Sequence, residues 1–291
     1  MKKSKLNKNY DRTGWLFTIP SILIIISFVF YPMIKALITS FESGMGNNLK
    51  FVGTANYTRL FTDDIFKKAV TNTLIYLVVQ VPIMILLALF ISVMLNDKNL
   101  KLKGFFRTAI FLPCVTSLVA YSVIFKSLFS NDGLMNNLLM NIHLITTPIE
   151  WITSPFWAKI TIIIAITWRW TGYNMIFYLA GLQNIDPSIY EAARIDGATG
   201  VKQFFHITVP LLKPIILFTT VMSTTGTLQL FDEVMNITKG GPGNASTTIS
   251  QYIYNLSFKY SPNFGYAAAV SFTIVIMIAV LSLIQFKVAG D

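Results

Sequence analysis

The chain has 291 residues, 54% of them hydrophobic and only 12% charged, and its 23 lysines and arginines outnumber 13 acids to give a net charge of +10. Charged residues fill about a quarter of an ordinary soluble domain, so this composition excludes one and indicates a membrane protein. The basic residues flank apolar runs and form no aromatic-interleaved stripe, which excludes a nucleic-acid partner, and the lone Cys114 with the distant His143 and His206 excludes a disulfide framework and a metal centre.

Crossing the hydrocarbon core takes about 20 apolar residues in a helix. Six segments qualify in chain order: 15–38, 69–95, 108–125, 160–182, 214–231 and 264–286. The basic tail before the first looks like a signal-peptide start, but the apolar run is too long and no small-residue cleavage site follows. The expected organisation is therefore a cytoplasmic tail over 1–14 and one transmembrane domain over 15–291. The fold class is all-α: a polytopic membrane protein with six transmembrane helices and a cytoplasmic loop between helices four and five. With the N-terminus inside, thirteen lysines and arginines lie in the cytoplasm against nine outside, so the positive-inside bias places both termini in the cytoplasm. No phosphate-cradling glycine-lysine loop occurs, so any ATP and magnesium must be held by another chain, and this one is not an enzyme.

The loop between the fourth and fifth segments carries the most polar stretch, "EAARIDGATG" at 191–200. Asp186 is a good helix N-cap with Pro187 at the first position, and Gly197 a natural stop. A second short helix over 201–208 is expected to end before Pro210. Ala192 and Ala193 leave a narrow waist between Glu191, Arg194 and Asp196, a shape that enters a partner's cleft. Read blandly, it is a solvated loop.

The run Glu191, Ala192 and Ala193, with Gly197 after three more residues, then Ile207 and a closing Pro210, resembles the EAA loop of permeases of binding-protein-dependent ABC importers. Val209 departs from it, since that family usually has leucine there. The stretches "FVGTANYTRLF", "FFRTAIFLP" and "TKGGPGNASTT" resemble carbohydrate permeases of the maltose and multiple-sugar type, and the likeness runs nearly the whole chain. The resemblance implies a coupling loop over about 186–210, formed by Glu191, Ala192, Ala193, Asp196, Gly197, Ile207 and Pro210, docked on a cytoplasmic ATPase. It implies further partners: a second homologous permease, an ATPase dimer holding ATP and magnesium, and an extracytoplasmic sugar-binding protein, all at a bacterial cell membrane.

Inside the membrane, Arg169 is costly and should face a cavity or a partner group. Trp170 and Tyr173 share its helix, and Ser223, Gly226 and Thr227 form a stripe on helix five at similar depth. Aromatic rings suit the C–H faces of sugars, and hydroxyl and guanidinium groups suit their oxygens. These six residues are the expected substrate path. The alternative for Arg169 is structural, paired with Asp232, Glu233 or free carbonyls. Competing functions are an ABC permease for glycerol phosphate or a polyol, and a stand-alone secondary transporter. The latter would call for an acidic site within a helix.

Overall fold

The computed structural model describes residues 5–44, 49–97 and 99–290. It is an all-α polytopic membrane protein; among the described residues its only strands are the two-residue pair Glu42–Ser43 and Lys50–Phe51. Within the expected 15–291 domain, packing resolves two compact units, residues 1–62 with 253–272 and residues 63–252 with 273–291.

In the first unit, α1 (Thr13–Ser40) is apolar on every side and none of its apolar core window is buried. The helix extends back to Lys5, so most of the expected tail is helical. After α2 (Ala55–Leu60), Asn56 donates to the carbonyls of Ser40 and Glu42, and the Arg59 guanidinium lies 4.0 Å over the Tyr266 ring.

The second unit is built around three long helices, α3 (Asp64–Asn96), α7 (Pro155–Gln183) and α9 (Gly200–Leu228). α3 starts where the Asp63 carboxylate caps the N–H groups of Ile65 and Phe66. α7 is as long as the spans around it but more polar. It is the central helix, with 16 residues buried, and Met175, Tyr178, Leu179 and Leu182 pack on Ala88, Leu89 and Leu95 of α3. Lipid tails are as apolar as these side chains, so what holds such a pair together in a membrane is close van der Waals packing and hydrogen bonding. Gly172 has to be glycine, because a Cβ there would meet the Ile110 carbonyl.

Three of the six expected segments are single unbroken spans by length and apolarity in α1, α3 and α11 (Phe264–Gly290), and the fifth is the longer α9. The third is not one helix. It is α4 (Lys103–Val115) and α5 (Leu118–Leu128), bent by 100°. Pro113 withdraws a donor from the ladder, and Thr116 and Ser117 take extended backbone. A short outer helix, α6 (Leu134–Asn141), follows, pinned by Asn136, whose amide oxygen accepts from the Trp151 indole at 2.8 Å.

The expected break before Pro210 is also absent. α9 runs through it by way of a π turn, Phe204–Thr208. A proline ring clashes with the carbonyl four residues earlier, here that of His206, and the wider turn moves that carbonyl aside. The same device, Ile26–Phe30, precedes Pro32 in α1.

Candidate functional site

Two sites in the second unit answer to the expected residues. The first is the loop on α8 (Pro187–Ile195), which has no buried residue. Its start is fixed by Asp186, whose carboxylate accepts from the Ser188 N–H at 2.9 Å. That backbone bond, helped by the Ser188 side chain, holds the Asp186 carboxyl below its ordinary value. Its stop is Gly197, with φ +77°, while the Ala198 N–H closes on the Ala193 carbonyl at 2.8 Å. The return is tied down by Gln203, which donates to the Ala198 carbonyl at 3.0 Å, and by the paired hydroxyls of Tyr190 and Thr208 at 2.9 Å.

The loop thus displays Glu191, Ala192 and Asp196 outward on a rigid frame, with Ala193 and Ile207 half-buried and Pro210 exposed. Ile195 is 88% exposed. Among the described residues neither Glu191 nor Arg194 has an ion pair. Both border a hollow of about 880 Å³ that also meets Asp97, Lys103 and Arg107. Charges and an apolar residue left open on a capped helix suit a protein partner.

Because the Asp186 carboxyl is depressed in the folded state, its capping contribution is present above the unfolded value of about 3.9 and is lost as pH falls through the folded value. Asp186→Ala is expected to speed amide exchange across α8 at neutral pH and to erase the difference between neutral and acidic pH. Unchanged exchange by mass spectrometry would remove the capping role.

The second site is a cavity of about 490 Å³ between α3, α7 and α9. Trp170 and Tyr173 of α7 line it with rings 5.8 Å apart and edge to face. Ser223, Gly226 and Thr227 line it from α9. Five of the six expected path residues therefore meet at one wall. The residues not foreseen are Asn174 on α7, Gln80 and Met84 on α3, Met222 and Thr225 on α9, and Gln229 just past its end. Gln80 was readable as a lone amide in an apolar run.

Arg169 is the exception. It is 5% exposed and does not border the cavity. Its Nη1 donates to the Thr116 carbonyl at 3.1 Å and its Nη2 to the Cys114 carbonyl at 3.2 Å. Its charge also sits 5.0 Å from the Tyr121 ring centre. The structure thus places it on free carbonyls, the structural alternative, with no ion pair to Asp232 or Glu233 among the described residues. It supplies the donors that the break after Pro113 removes from the helix ladder. Trp168 and Trp170 face different ways, Trp168 stacking on Tyr121 with centroids 6.1 Å apart.

The cavity and the loop are joined by α9. From Thr208 to Ser223 is about 22 Å at 1.5 Å per residue, and one turn below the cavity the Tyr178 and Thr219 hydroxyls bridge α7 to α9 at 2.6 Å.

Comparison with known proteins agrees with this layout. The model of the family described as binding-protein-dependent transport system inner membrane component matches residues 99–289. The chain is 58% identical to the lactose transport system permease protein LacF of Rhizobium radiobacter, covering 99% of this chain and 98% of that one. It is 36% identical to the arabinooligosaccharides transport system permease protein AraP of Bacillus subtilis, over 95% of this chain and 88% of that one. Among solved structures, a chain of a bacterial ABC transporter involved in the import of the acidic polysaccharide alginate superposes with a TM-score of 0.85 at 25% identity, covering 99% of both chains. The chain therefore belongs to the family of binding-protein-dependent transport system inner membrane components, and it is a permease subunit of an ATP-driven import system.

Proposed function

We propose that this subunit carries neutral sugars, of the size of a disaccharide or short oligosaccharide, into a bacterial cell, with both its termini in the cytoplasm. The observation that carries the reading is the chemistry of the cavity: among the described residues no lysine, arginine, aspartate or glutamate lines it. Its wall offers two aromatic rings, three amides and several hydroxyls, the groups that suit C–H faces and hydroxyls. Its volume lies within the range of about 300–1,000 Å³ typical of sites that enclose a small ligand. The lactose and arabinooligosaccharide permeases among its relatives support a sugar cargo.

A glycerol phosphate would need a cation, and the guanidinium at this depth is spent on carbonyls. A proton-coupled carrier would need an acid at the binding site, and none lines the cavity.

The subunit works with a second permease, an ATPase dimer that holds ATP and magnesium, and an extracytoplasmic sugar-binding protein. This chain supplies no covalent chemistry. α8 docks in a groove of the ATPase, with Glu191 against a basic residue. ATP binds the closed ATPase pair more tightly than the open one, and that difference is what shifts the permease outward; hydrolysis returns it inward.

The test is uptake into vesicles holding the assembled importer. Lactose is expected to enter only with ATP inside, with excess glycerol phosphate or galacturonate reducing uptake by less than about twofold. Uptake without ATP, or strong competition by the anions, would overturn the reading.

A further inference from the structure

We infer that Gln80 of α3 is a specificity-determining residue of this path: its amide and that of Asn174 form a donor pair that rests on the Met84 sulfur and transfers to a sugar oxygen when cargo enters. The inference rests on the sugar reading above and adds a third wall to it. Gln80 is 2% exposed and Met84 1%. The Thr227 hydroxyl donates to Gln80 Oε1 at 3.1 Å, which fixes the end of the amide that accepts. The other end, Nε2, donates to Met84 Sδ at 3.2 Å. Across the cavity wall Asn174 Oδ1 accepts from the Ser223 hydroxyl at 3.5 Å, and its Nδ2 donates to the Trp170 carbonyl at 3.1 Å and to the same Met84 sulfur at 3.4 Å.

A thioether is a weak acceptor, and here two buried amides share one. Gln80 Nε2 has no other acceptor among the described residues, whereas Asn174 also holds a backbone carbonyl. A sugar hydroxyl or ring oxygen accepts more strongly. Met84 is unbranched and can swing aside. A pocket that has to satisfy such donors rejects an analogue lacking the matching oxygen, because the amides are then left unpaired.

Lactose binding by the purified assembled importer, read by equilibrium dialysis and by tryptophan fluorescence from the cavity wall, tests this. Gln80→Leu is expected to weaken lactose binding about tenfold. Thr227→Val, which frees the amide to turn, should weaken it in the same direction. Met84→Leu keeps the volume and removes only the resting acceptor, so its affinity should equal or exceed that of the wild type. Should Gln80→Leu fail to assemble, Thr227→Val and Met84→Leu still decide the matter. Equal loss in Met84→Leu and in the amide variants, or no loss in Gln80→Leu, would overturn the inference while leaving the sugar reading standing. A wild-type complex that binds no neutral disaccharide would overturn both.

Discussion

Glu191→Lys is expected to abolish sugar uptake while the subunits still assemble and the ATPase keeps its basal rate. The carboxylate projects from a helix with no buried residue and has no ion pair among the described residues. Its partner is therefore expected across an interface. Truncating one member of a close interfacial charge pair typically costs about 2–5 kcal/mol, a loss of about 30-fold or more in the strength of the contact, and reversal adds repulsion. Glu191→Gln should fall between, since the amide still accepts a hydrogen bond. The measurement is uptake and binding-protein-stimulated ATPase on the same preparation. Normal uptake in Glu191→Lys would remove the coupling role, and failure of the four chains to copurify would make the residue one of assembly alone.

The second large effect is expected at Arg169, and it concerns integrity more than cargo. Its guanidinium is the donor for the carbonyls of Cys114 and Thr116 at the 100° break between α4 and α5. Arg169→Met keeps an unbranched apolar stem but leaves both carbonyls without that donor, at about 1–3 kcal/mol each, and removes the charge from the Tyr121 face, about 0.5–2 kcal/mol. Set against a total stability of about 5–15 kcal/mol, this is a large fraction. The expected result is a lower melting temperature in detergent and less protein in the membrane, with every transported sugar affected alike. Arg169→Lys, which can serve one carbonyl but not both in the same fork, should recover part of the loss. A changed ranking of sugars at unchanged thermal stability would return Arg169 to the path.

The geometry of the polar loop was legible because its signals are local: Asp186, Pro187 and Gly197 each act on the backbone within four residues of themselves. The aromatic and hydroxyl stripes of α7 and α9 were legible from helical spacing and depth. What depended on a distant partner was not. Pro113 is plain in the sequence, yet whether a proline bends a span slightly or breaks it depends on which group meets the freed carbonyls, and that group is 55 residues away. Pro210 shows the converse, a proline expected to end a helix and accommodated by one wide turn. Gln80 and Met84 were passed over because α3 reads as an almost unbroken apolar run, in which a single amide carries no periodicity.

The π turn at Phe204–Thr208 sets the phase of all that follows it in α9. Successive residues of an α-helix are about 100° apart around its axis, so one residue gained or lost there would turn the distal half of the helix by that angle. Ser223 and Thr227 would then turn away from the wall they line. The grip of the loop and the chemistry of the cavity are written in a single reading frame of helix geometry, so length changes between the two are constrained far more tightly than the identity of the residues between them.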